Sequence, residues 1–83
     1  MSRIAAEAIA NSEQALRRGN LAEAERLSGV AISADDKRVE PLAIKAAIRH
    51  ARGNRAGERL MAELAAPVLE EGLFKLLVDD YWP

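Results

Sequence analysis

Arg18-Gly19-Asn20-Leu21-Ala22-Glu23-Ala24-Glu25-Arg26-Leu27 decides the fold, because the chain returns to it as Arg52-Gly53-Asn54-Arg55-Ala56-Gly57-Glu58-Arg59-Leu60. The Arg-Gly-Asn triplet recurs after 34 residues (18 to 52) and Glu-Arg-Leu after 33 (25 to 58), as if the second copy had lost one residue between them. Glycine takes the left-handed conformation that stops a helix at little cost, and asparagine caps the start of the next. Two such corners at this spacing predict two helical hairpins.

Working outward, Ser2 is placed to cap a first helix running to about Arg18, with Ala5, Ala8, Ile9, Ser12, Ala15 and Leu16 forming one stripe at i, i+3/i+4 spacing. After Asn20, a second helix over about Leu21–Ala34 turns Leu21, Ala24, Leu27, Ser28, Ala31 and Ile32 inward, and Gly29 within it suggests a close helix crossing. Asp35-Asp36-Lys37-Arg38 reads as a charged turn. Pro41 suits the first turn of a third helix, about Glu40–Arg52, with Ala43, Ile44, Ala47, Ile48 and Ala51 inward. A fourth helix, about Arg55–Ala66, is expected to bury Ala56, Leu60, Met61 and Leu64. Beyond Pro67, a fifth over about Val68–Val78 is expected to bury Leu69, Leu73, Leu76 and Leu77, leaving Asp79–Pro83 as an acidic-aromatic tail.

Composition agrees. The 83 residues are 49% apolar with only three aromatics, Phe74, Tyr81 and Trp82, and they include no threonine, so small side chains and leucines suit packed helices rather than sheets. One domain spanning 1–83 is expected, all-α, with repeat 1 at about 2–36, repeat 2 at about 38–66 and a capping helix and tail at 67–83. With no cysteine, disulfides and thiolate chemistry are excluded. No apolar run approaches the ~18–20 residues of a membrane span, and no secretory leader pattern opens the chain, so the expected compartment is the cytoplasm. Net charge is −1, with a mildly basic middle and an acidic end.

Two helix-turn-helix units 34 residues apart resemble tetratricopeptide repeats. Gly19-Asn20 and Gly53-Asn54 match that family's inter-helix turn. Ala24 and, allowing the deletion, Gly57 match the small residue opening the second helix, and Ala31 the later one, whose counterpart is Leu64 or Ala65 depending on register. Departures fall at Ala8 and Ala15, where the family prefers aromatics, and at Asp36, where it prefers proline. The resemblance implies a right-handed α-hairpin array of about five helices. It also implies a concave trough along the first helix of each unit, here Ala6, Ile9, Glu13, Leu16 and Arg17, then Ala43, Ala47 and His50. The family's carboxylate clamp for peptide termini is not matched.

Three further features bear on function. Lys45, Arg49 and Arg52 cluster within about 60° on the third helix and Arg55 and Arg59 continue onto the fourth, a stripe able to orient an acidic partner or touch phosphate, though a solvated helix face looks the same. His50 is the only histidine and has no companion to complete a zinc set. Tyr81 and Trp82 would serve as interface anchors or fold back over the fifth helix. Neither a phosphate-cradling loop nor a nucleophile–base set is present. The expectation is a non-enzymatic protein-interaction module (adaptor, small chaperone or assembly subunit) without metal or cofactor, binding a helical or extended segment in the trough. Its partner is another protein or a second copy. Nucleic-acid binding through the third and fourth helices is the alternative, disfavoured by the net charge. Because the first unit's outer face has no visible cap, self-association is expected.

Overall fold

The computed structural model describes residues 2–82, and among these the chain forms five helices and no strand. They are α1 (Arg3–Arg17), α2 (Leu21–Ala34), α3 (Glu40–Ala51), α4 (Arg55–Ala65) and α5 (Glu71–Tyr81). None is long and apolar enough to cross a membrane. Pro83, the last residue of the expected tail, lies outside the described residues.

The two corners are alike bond for bond. Gly19 and Gly53 sit at φ of +77° and +73°. The Gly19 amide donates to the Leu16 carbonyl and that of Asn20 to Ala15, at 3.0 and 2.9 Å; 34 residues on, Gly53 donates to His50 and Asn54 to Arg49, at 3.0 and 2.8 Å. Each asparagine side chain then accepts from the amide three residues ahead, Glu23 at 3.3 Å and Gly57 at 2.9 Å, satisfying one donor that a helix start leaves open.

This equivalence corrects the register of α4. At a constant 34-residue spacing, Leu27 corresponds to Met61 and Ala31 to Ala65, and Met61 and Ala65 are the buried residues of α4. Of the four residues expected inside, Met61 is buried, but Leu60 and Leu64 are 49% and 54% exposed, and Ala56 is exposed as well. No residue is missing from the second unit. The 33-residue match is a likeness of letters without structural register.

α5 differs in a related way. The Glu70 carboxylate accepts from the Gly72 amide at 2.9 Å and fixes the helix start there, three residues later than expected. The buried face becomes Phe74 and Val78, with Leu77 and Tyr81 half-buried; Leu73 and Leu76 point to solvent, and the expected tail is helical through Tyr81.

α3 is the central helix, in contact with all four others. Pro41, Leu42, Ala43, Ile44, Ala46, Ala47 and Ile48 are all buried, more of its circumference than one stripe covers. Ile44 and Ile48 meet Ala15, Leu16 and Ala24 from the first unit. Leu42, Ala43, Ala46 and Ala47 meet Met61, Ala65, Phe74 and Val78. Ala51, expected inside, is exposed at the end of the helix. Between α1 and α2 the Ser12 hydroxyl, itself buried, donates to the Ala24 carbonyl at 2.6 Å, so these helices approach through small residues. Gly29 is not a close crossing: a Cβ there would meet only Lys45 Nζ, at 3.9 Å.

Candidate functional site

The expected trough is occupied by the chain itself. Ile9 and Leu16 are 5% and 6% exposed, and Ala43 and Ala47 are fully buried, so these four belong to the core rather than to an open surface. The cover over Leu16 is the end of α5: Tyr81 and Trp82 pack against the cluster that holds it, and the Tyr81 hydroxyl donates to Glu13 Oε2 at 2.6 Å. Burial, then that carboxylate, push the Tyr81 hydroxyl's pKa well above its ordinary value. Of the trough residues only Ala6, Arg17 and His50 are exposed, and they form no continuous floor. The two aromatics proposed as interface anchors fold back over the core.

The basic stripe is likewise divided. Glu25 of α2 reaches over to α3 and holds two of its cations, Arg52 at 2.9 Å and Arg49 at 3.5 Å. Burial lowers the Lys45 ammonium below its usual range. Arg49 lies against Gly57, where a Cβ would collide with its side chain, so the glycine at the start of α4 makes room for an arginine and not for a backbone. Arg49 and Arg52 thus knit the two hairpins together. Arg55 and Arg59 do not continue the stripe; they turn towards α5.

There they border a cleft of about 300 Å³ between α3, α4 and α5. It forms because α5 leans on α3 and touches α4 only lightly. Ala46, Ala62, Phe74, Val78 and Trp82 make an apolar lining. Arg55 and Arg59 stand on the α4 wall, Glu71, Lys75 and Asp79 on the α5 wall, and His50 with Glu58 at one end, joined Nδ1 to Oε1 at 3.2 Å. Arg55, Arg59, Lys75, Glu71 and Asp79 form no ion pair among the described residues, whereas Arg26, Arg38, Arg49 and Arg52 each have one. Among the described residues no group of three His, Cys, Asp or Glu side chains is placed to hold a metal.

An apolar floor with unpaired charges of both signs on its rim suits one apolar side chain, or one turn of an amphipathic helix, entering from a partner. Of the expected site residues, His50 and Trp82 lie here, together with Arg55 and Arg59 from the basic stripe. The signal for the rest was Arg55, Arg59 and Ala62 at i, i+4, i+7 on one face of α4. Compared with protein-family models, curated proteins and solved structures, the chain finds no match in any of the three.

Proposed function

We propose that this chain is a non-enzymatic protein-interaction module, built as a tetratricopeptide-like right-handed array, that takes an amphipathic helical segment of another protein in the cleft between α3, α4 and α5. The reading rests on the cleft's composition: an apolar floor rimmed by five charged side chains that form no ion pair among the described residues. A helix laying an apolar anchor onto Phe74 and Val78 would offer acidic groups to Arg55 and Arg59 and basic groups to Glu71 and Asp79. Charge complementarity of this kind sets orientation and on-rate more than affinity. Support for the array comes from the 34-residue equivalence of the two corners and from α5 lying on α3 as the first helix of a third unit would. Nucleic-acid binding gains nothing from the geometry, since Arg49 and Arg52 are engaged by Glu25.

A photo-crosslinking residue at Ala62, on the cleft wall, tests the proposal. In the cell that makes the protein, it is expected to capture a discrete partner. The same residue at Ala10, on the exposed polar face of α1, captures none, and Arg59→Glu in the Ala62 background abolishes the adduct. Equal capture at both positions, or a partner indifferent to Arg59→Glu, would refute the cleft as the binding site.

A further inference from the structure

α2 and α4 both pack on α3 but scarcely on each other, which leaves a furrow between them with α3 as its floor. Lys45 and Arg49, one helical turn apart, lie on that floor, and Arg52 stands at its end. Two glycines border it. Gly29 of α2 faces Lys45 Nζ and Gly57 of α4 faces the Arg49 side chain, and neither has the positive φ that would call for glycine. Glycine within a helix is costly, and here it stands on both banks of one pair of cations, where a side chain would close the space over them.

Counter-charge is short in this furrow. Glu25 is the carboxylate that reaches the cations, at 2.9 Å from Arg52 and 3.5 Å from Arg49, while Lys45 forms no ion pair among the described residues. Arg49 Nη1 is buried with no hydrogen-bond partner, an orphaned donor that a folded protein rarely leaves. Burial works against the Lys45 ammonium, Glu25 supports it, and Arg49 opposes it again. Three cations against one carboxylate leave two positive charges uncompensated. We propose that the furrow between α2 and α4 binds a phosphate dianion, free or as a monoester, with Lys45 and Arg49 as its ligands and Glu25 as the carboxylate it competes against. The dianion is singled out by charge and by extent. Its charge matches the local excess, and its oxygens give the Arg49 guanidinium, once turned, the acceptor it lacks; hydrogen bonds between charged partners are the strong ones. A phosphodiester backbone needs a continuing row of cations, and Arg55 and Arg59 turn away to the cleft beside α5.

Amide shifts of the isotopically labelled full chain test this, with inorganic phosphate, phenyl phosphate and the monoanion diethyl phosphate titrated at pH 8 and constant ionic strength. The two dianions are expected to move the Gly29 and Gly57 amides saturably, with a Kd on the order of 1 mM, and diethyl phosphate to bind at least roughly tenfold more weakly. Tighter binding of phenyl phosphate than of inorganic phosphate assigns the site to a phosphate carried on a larger molecule; equal or weaker binding assigns it to free phosphate. Lys45→Met, which keeps the apolar stem and removes the charge, is expected to weaken binding roughly tenfold, as is Gly29→Leu, which fills one bank with a good helix former. Glu25→Gln is expected to tighten it several-fold, a sign that a purely structural Glu25 would not produce. Shifts that are non-saturable or equal for all three anions overturn the proposal, as do shifts that survive Lys45→Met or binding that weakens in Glu25→Gln. Should Glu25→Gln fail to fold, Lys45→Met and Gly29→Leu decide by themselves.

Discussion

Ala24→Leu probes the tightest contact in the first hairpin. Ala24 has no exposed surface, its carbonyl receives the buried Ser12 hydroxyl at 2.6 Å, and its surroundings include Ala15, Leu16, Ile44 and Ile48. Three added carbons have no cavity to enter, so α1 must move away or side chains must leave their rotamers. Overpacking of this kind costs about 1–3 kcal/mol. If α1 retreats, the Ser12 hydrogen bond is lost as well, adding roughly 1 kcal/mol. A total of about 2–4 kcal/mol is a large part of the stability of so small a domain, and at ~4–8 °C per kcal/mol it lowers the melting temperature by roughly 10–25 °C. The control is Ala22→Leu, two residues away on the same helix but exposed, expected to change stability by no more than about 0.5 kcal/mol. Thermal melts followed by circular dichroism, with urea titrations to exclude a change in cooperativity, compare the three proteins. An Ala24→Leu protein melting within about 3 °C of the wild type would refute the placement of this contact.

Gly29→Ala should stabilise the protein by about 0.5–1 kcal/mol, since the new methyl meets only the end of Lys45 and mid-helix glycine is costly; an unchanged or lower urea midpoint would count against it. Gly53→Ala should destabilise by about 1–2 kcal/mol although a Cβ there touches nothing within 4 Å, because the cost lies in the positive φ; Gly53→Asn should recover part of it in the same melts. Tyr81→Phe should alter the alkaline limb of stability. The folded-state pKa is raised by burial and by Glu13, so the protonated phenol is the form that folding favours. Its contribution is complete below the ordinary tyrosine value near 10 and is lost as pH rises from there towards the folded pKa. Urea midpoints at pH 8 and pH 11 should therefore converge in Tyr81→Phe relative to wild type, and an equal pH dependence in both would dissociate Tyr81 from the effect.

What could be read without coordinates follows from how local the physics is. The glycine-asparagine corners and the helices flanking them are set by a few adjacent residues, and α2 falls at Leu21–Ala34 as expected. The stripe of α1 was legible for another reason: α1 packs mainly against α2, so one face is buried and Ala5, Ala8, Ile9, Ser12, Ala15 and Leu16 occupy it. α3 was only half legible. A helix ringed by four others buries positions that a single-stripe pattern leaves out, here Leu42 and Ala46, and no periodicity in α3 alone announces the neighbours on its second side. The trough failed for the same non-local reason. Its floor is covered by residues 68 positions away in the chain, through Tyr81 and Glu13.

The cleft was hidden by a rotation. Advancing the register of an α-helix by one residue turns it by about 100°. Reading α4 at the 33-residue match puts Leu60 and Leu64 inside; at the 34-residue spacing that the corners impose, those leucines face solvent, Met61 stays inside as expected and Ala65 joins it. The same turn carries Arg55, Arg59 and Ala62 from a solvated flank to the wall facing α5. Leucine content favoured the first reading, because two large apolar residues at i, i+4 ordinarily mark a core face. The capping geometry decides for the second: once Asn54 accepts from Gly57, the phase of every later residue in α4 is fixed. A hydrogen bond at the helix start thus outranks a recurring triplet within it, and the cleft exists because of where that bond is made.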